Sequence, residues 1–143
     1  QDLKMTDEEM REEMKMMNGD PQIASRRRQI QRQLIMNRMQ SDVPNADVVI
    51  TNPTELAIAI KFDPTSMVAP VVVAKGAGHV AARIRKVALG AGVPIVERKP
   101  LAQALFKNVD IGQAIPVEQY AAVAEVLRYV YQLQGKKLPT VAA

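Results

Sequence analysis

The sequence predicts an α/β fold: a small, four-stranded, mostly buried sheet surrounded by about four helices, with a helical N-terminal linker. Three observations predict it. Four short apolar runs lie between residues 47 and 97, and helical patterns follow the third and fourth of them. The run 70–75, PVVVAK, is continuous and β-branched, which is typical of a strand buried on both faces. The first forty residues are charged and carry too little apolar surface to fold alone. The expected organisation is a charged helical linker over 1–40, a globular domain over 41–135 and a loose tail over 136–143.

In chain order, Thr6 and Glu9 form a capping-box pattern ahead of good helix formers, which predicts a helix over Asp7–Met17. Asn18-Gly19-Asp20-Pro21 breaks it, because Gly and Asn tolerate positive φ and Pro21 restricts Asp20. A second helix follows over Pro21–Gln40, with Pro at its first position and a thin stripe of Ile23, Ile30 and Leu34. Asp47–Thr51 and Leu56–Phe62 read as strands, the second with Leu56, Ile58, Ile60 and Phe62 alternating on one face. After the loop Asp63–Ser66 come the 70–75 strand, a turn at Gly76-Ala77-Gly78 and a helix over His79–Leu89, ended by Gly90 and Gly92. Val93–Glu97 is the fourth strand, and a short helix with Pro100 near its start follows. The last helix, Pro116–Gln134, places Tyr120, Val123, Ala124, Leu127, Val130 and Tyr131 at helical spacing, with Gly135 as its cap.

Composition excludes several function classes. There is no cysteine, hence no disulfide framework and no thiolate metal site. One histidine, His79, cannot hold zinc alone, and no carboxylate pair or metal-ligand spacing stands out, so no metal and no cofactor are expected. Ser25, Ser41 and Ser66 have no His or Asp partner suggested by spacing. The longest apolar run, Met67–Ala74, is far short of the roughly 18 residues that span a bilayer. No signal-peptide pattern opens the chain, and a start at Gln1 suggests a fragment. The net charge of +4 is unevenly spread: acids dominate residues 2–13, whereas Arg26, Arg27, Arg28, Arg32 and Arg38 stand without an acid among them. That stretch is either a solvated helix face or a surface for an anionic partner. No aromatic residue precedes Phe62, so the stacking platforms of single-strand binders are missing, and a membrane-proximal role suits the arginines better than nucleic acid.

Two motifs carry possible chemistry. Gly76-Ala77-Gly78-His79-Val80-Ala81 satisfies G-x-G-x-x-[GA] between a strand and a helix, with Glu97 ending the next strand, as a dinucleotide site requires. Against it, only helices follow Glu97, and the glycines have a simpler use in a tight strand-to-helix turn. A small nucleotide-binding protein is therefore the alternative function. The second motif is Asn52-Pro53-Thr54-Glu55, set between the first two strands. Asn-Pro begins turns well. It also closes the usual ageing route of asparagine, because Pro53 has no N–H with which to attack the side chain. The reverse attack stays open: the Asn52 side-chain nitrogen on its own backbone carbonyl, forming a succinimide and releasing Pro53 as a new N-terminus. An amide is a poor nucleophile, so this needs a held geometry and a proton acceptor.

Beyond these motifs, ADVVITNPTELAIAIKFD, APVVVAKGAG, GVPIVERKPLAQALF, DIGQAIP and YAAVAEVLRYVYQL together resemble the cytoplasmic domain of the FlhB/YscU family, self-cleaving switch proteins of type III export. GDPQIASRRRQIQRQL resembles the linker to that family's membrane part, and VAKGAG and IGQAIP are closer to the flagellar branch. The resemblance spans about residues 19–134. It implies a single-turnover self-processor, not a conventional enzyme, that controls the passage from rod and hook subunits to filament subunits. It implies export substrates, a hook-length ruler protein and other export-gate proteins as partners. It places the full-length protein in the bacterial inner membrane, with this part at the cytoplasmic face. Carried over, Asn52 cyclises, Pro53 leaves and Thr54 belongs to the turn. The family's fourth residue is His, and here it is Glu55. With a reference pKa of about 4.3 against about 6.5, Glu is the weaker base and sets a negative charge near the developing oxyanion, so slow or blocked cleavage is expected. The family's apolar patch for early substrates maps onto Ala69, Pro70, Ala124 and Leu127, which serve either that patch or the packing of the last helix.

Overall fold

The structure, a computed structural model, describes residues 7–11, 20–53 and 55–135. The chain divides into two units, Gln1–Arg38 and Met39–Ala143. Residues 7–11 are helical; the rest of the expected Asp7–Met17 helix lies outside the described residues, as does the 136–143 tail. Helix α1 (Pro21–Asp42) runs two residues beyond its expected end. Asp20 accepts the Gln22 N–H at 3.0 Å, a side-chain cap in front of a proline-led helix. Its apolar residues Ile30, Leu34 and Ile35 are exposed.

The second unit is built on a mixed sheet in the order β3-β2-β1-β4. Its strands are β1 (Val48–Asn52), β2 (Leu56–Lys61), β3 (Val71–Ala77) and β4 (Ile95–Glu97). β1 pairs antiparallel with β2, Val48 opposite Ile60 and Asn52 opposite Leu56. β4 joins the other side of β1 in parallel, Val49 opposite Ile95. A parallel strand needs a crossover, supplied by α2 (His79–Ala91), which packs on β3 and β2. The register puts Val48, Ile50, Ile58 and Ile60 on one face. There they meet α3 (Lys99–Asn108) and α4 (Tyr120–Leu133) in a core that includes Leu105, Val123, Val126 and Val130.

The sheet order corrects one expectation. The 70–75 run is not central: β3 is an edge strand, with Val71, Val73 and Lys75 half-buried between buried Val72, Ala74 and Gly76. Burial on both faces belongs to β1, buried along its whole length, and to the interior of β2. A bulge where Ala59 pairs with Ala74 and Ile60 with Val72 leaves Val73 without an opposite residue. The outer edge of β3 is covered in part by a loop. Val72 N–H donates to the Gln113 carbonyl at 3.0 Å and Gly112 N–H to that of Val72 at 2.7 Å, while Ile115 N–H donates to the Pro70 carbonyl at 2.8 Å. Such cover protects an otherwise open ladder. Lys75 donates to the Phe106 carbonyl at 2.9 Å, near the end of α3, where a cation is favourable.

The last helix also departs from its expected form. Val117–Gln119 make a 3₁₀ turn and the α-helix begins at Tyr120. Its buried stripe is Val123, Val126, Leu127, Val130 and Tyr131, so Val126 takes the place expected of Tyr120 and Ala124, which are exposed. Burial raises the Tyr131 phenol above its ordinary range, and the nearby Asp47 carboxylate adds to the shift through its charge and a hydrogen bond. Because the folded state holds this proton more tightly, the stabilisation is complete below the ordinary tyrosine pKa of about 10 and is lost as pH rises through the folded value. Ultraviolet titration is expected to show the Tyr131 phenol ionising late, and Asp47→Asn to move that step to lower pH. An unmoved titration would exclude Asp47 as a cause.

Candidate functional site

The Asn52-Pro53 peptide sits at the tip of the β1–β2 hairpin. Glu55 N–H donates to the Asn52 carbonyl at 2.9 Å, closing a four-residue turn with Pro53 at its second position, where a fixed φ is favourable. Thr54 lies outside the described residues. Asn52 and Thr51 are each 4% exposed and are the buried polar residues among those described; Pro53 and Glu55 are exposed. Asn52 Nδ2 lies 3.5 Å from Glu55 Oε2, at the long limit of a hydrogen bond. One residue, Glu55, therefore offers a donor to the Asn52 carbonyl oxygen and an acceptor to the Asn52 side-chain nitrogen.

Two more amides fix the flanks. Arg98 N–H donates to the Thr51 carbonyl, and Gly78 N–H donates to the Glu55 carbonyl, each at 3.0 Å. The second bond bears on the glycine motif: the Gly78 amide already has a partner in the hairpin. A Cβ on Gly76 would overlap the Val80 side chain, so this glycine lets α2 approach the sheet closely. Both glycines are accounted for by packing and turn geometry, so neither needs a bound phosphate to explain it. His79 is exposed at the start of α2.

The family model described as "FlhB HrpN YscU SpaS Family" matches residues 1–130. The chain belongs to that family. Over 135 residues it is 51% identical to the flagellar biosynthetic protein FlhB of Yersinia enterocolitica, covering 94% of this chain and 35% of that protein. Over 134 residues it is 48% identical to FlhB of Bacillus subtilis, covering 94% and 37%. The chain thus spans about a third of the length of these curated relatives. Among solved structures, it resembles the cytoplasmic domain of FlhB from Shewanella putrefaciens, with TM-score 0.67 and 40% identity over 73% of this chain and 85% of that one. A mutated EscU C-terminal domain superposes with TM-score 0.63 at 28% identity, covering 64% and 92%. These FlhB and EscU domains place the α/β fold of this chain in its family.

Within that FlhB-like frame the four apolar patch positions are not equivalent. Leu127 belongs to the core cluster and Ala69 is buried, so packing accounts for both. Ala124 is exposed and Pro70 half-buried. Val68, which the sequence did not single out, is fully exposed just ahead of Ala69 and Pro70 in the chain. The preceding loop is tied by Asp63, whose carboxylate accepts Thr65 N–H, Thr65 Oγ1 and Ser66 Oγ at 2.7–3.0 Å. These hydrogen bonds hold the Asp63 carboxyl below its usual range. Among the described residues no helix is long and apolar enough to cross a membrane, and no group of acids and histidines is placed to hold a metal.

Proposed function

We propose that the chain is the export-gate domain of a flagellar FlhB-type protein, which selects the class of subunit exported. Its Asn52-Pro53 turn is built for self-cleavage, with Glu55 as a poor base. The carrying observation is the pairing of Glu55 with Asn52: backbone N–H on the carbonyl oxygen at 2.9 Å and carboxylate near the side-chain nitrogen at 3.5 Å. In the reaction, Asn52 Nδ2 attacks the Asn52 carbonyl carbon, and the Glu55 N–H steadies the negative charge that develops on oxygen. The proton leaving Nδ2 passes through the base at position 55 to the Pro53 nitrogen as the peptide C–N bond breaks. The products are a succinimide at Asn52 and a secondary amine at exposed Pro53; water then opens the succinimide. A carboxylate accepts the proton less readily than the imidazole of the family's NPTH motif, and its charge opposes the oxyanion, so the step is slow here.

After a cut the pieces are expected to stay together, because β1 is paired on both sides and fully buried. Early export subunits would dock through Pro70 and Ala124, the two of the four positions that are not buried. The ruler protein and neighbouring gate proteins complete the proposed partners, and Arg26–Arg28, Arg32 and Arg38 would lie near the cytoplasmic face of the inner membrane. Exchange of this domain into the FlhB of a motile bacterium tests the function. Rod and hook subunits are expected to be exported normally, with filament subunits strongly reduced until Glu55→His restores the switch. Loss of all export in a stably produced chimera would refute the gate assignment. Full filament export with Glu55 in place would refute the block.

A further inference from the structure

We infer that the backbone amides of Gly78 and Arg98, the N-cap residues of α2 and α3, are the positioning elements of the Asn52–Glu55 turn, and that Gly76-Ala77-Gly78 is shaped for this purpose. The inference rests on the self-cleavage reading above. A hairpin loop closed by one internal bond leaves its tip free to pivot. This tip is held from outside on both flanks: the carbonyl just before Asn52 accepts Arg98 N–H, and the carbonyl of Glu55 accepts Gly78 N–H. Each donor follows a different strand and begins a helix packed on the sheet, so α2 and α3 grip the turn from two independent elements.

The two glycines serve this grip for different reasons. Gly78 has φ +60° and ψ −121°, and nothing lies within 4 Å of the place where its Cβ would stand. Space does not require glycine there; the direction of the backbone that aims N–H at Glu55 does. Gly76 is required by space, since its Cβ would collide with Val80 and push the first turn of α2 away. Arg98 is fixed by its own side chain, which donates to the Glu97 carbonyl at 2.8 Å and lies over the Tyr129 ring at 5.8 Å. Cyclisation of Asn52 requires the side-chain nitrogen to be held within attack distance of a carbonyl whose oxygen faces a donor. A small rotation of the tip loses both at once.

The test uses the full chain in a Glu55→His background, with splitting after Asn52 followed by intact mass and the thermal midpoint measured alongside. Gly78→Ala is expected to slow splitting by about tenfold or more. Gly92→Ala is the matched control: Gly92 caps the far end of α2 at φ +74° with open space around it, so the substitution strains the same helix without touching the turn. Gly92→Ala is expected to split at the parent rate. Alanine of the d configuration at position 78, introduced by ligation, adopts the observed backbone without strain and is expected to keep the parent rate; it decides the matter if the l-alanine chain does not fold. Gly78→Ala splitting at the parent rate, Gly92→Ala slowing it equally, or d-alanine slowing it would each overturn the inference. A Glu55→His parent that never splits would overturn the self-cleavage reading itself, and the inference with it.

Discussion

Substituting histidine for Glu55 is expected to turn a chain that keeps a single mass over days at neutral pH into one that divides into residues 1–52 and 53–143. A well-placed general base is worth about 10²–10⁴ in rate. The position is already correct, because residue 55 reaches the Asn52 side-chain nitrogen while its own N–H holds the Asn52 carbonyl. What changes is the affinity for the proton and the removal of a negative charge beside the oxyanion. The base must be unprotonated, so the rate in the histidine chain is expected to climb as pH rises through the ordinary imidazole range near about 6.5 and then level off. Denaturing mass spectrometry of the two chains side by side measures this. Equal splitting of both would show that turn geometry alone suffices, and a histidine chain that stays whole would remove the turn from consideration as a reactive site.

The second large effect concerns what holds the domain together. Ile50 is fully buried in β1, between β2 and β4, and belongs to the main core cluster. Ile50→Ala is expected to cost about 2–5 kcal/mol, from lost apolar transfer and the cavity left behind. At this size that lowers the thermal midpoint by roughly 7–20 °C. Ile111, half exposed in the loop along β3, is the comparison: Ile111→Ala is expected to stay within about 0.5 kcal/mol. Equal losses at the two positions would contradict the placement of the core in this sheet. In a chain that has been cut, Ile50→Ala is also expected to weaken retention of the 1–52 piece, read by size-exclusion chromatography after splitting.

The sequence carried the kinds of element and most of their limits, because apolar alternation, capping residues and glycine stops are local signals. The strand expected over Leu56–Phe62 and the helix expected over His79–Leu89 were legible in this way. The strand ends one residue earlier, at Lys61, and the helix runs through Gly90 to Ala91. The order of strands was not. Val71–Val73 are as β-branched as any central strand, and only long-range pairing, with loop 112–115 serving as cover, makes β3 an edge. The Asn52-Pro53 turn was visible from chemistry alone, whereas Glu55 as the base position came from the family resemblance. The donors from Gly78 and Arg98 were not, since a backbone amide leaves no mark in the residue type that bears it. Gly76 and Gly78 did signal an unusual backbone, but the same letters serve a phosphate cradle and a hairpin clamp. The last helix shows the limit of periodicity: Tyr120 and Ala124 fit the spacing as well as Val126 does, and the sheet beneath decides which turn inward.

The grip on Thr51 by Arg98 has a consequence for timing during synthesis. β1, β2 and β3 are neighbours along the chain and form their ladders from local contacts, so the hairpin bearing Asn52 takes shape early. β4 and the residue that ends it emerge later, after α2 has crossed the sheet, and the parallel pairing with β1 closes last. Until then one flank of the turn has no anchor. A ribosome-bound nascent chain that has made the hairpin but not Arg98 carries Asn52-Pro53 in a turn held on one flank only. On the self-cleavage reading, the turn is therefore set only when the domain is complete, and the topology itself delays scission of a half-made polypeptide.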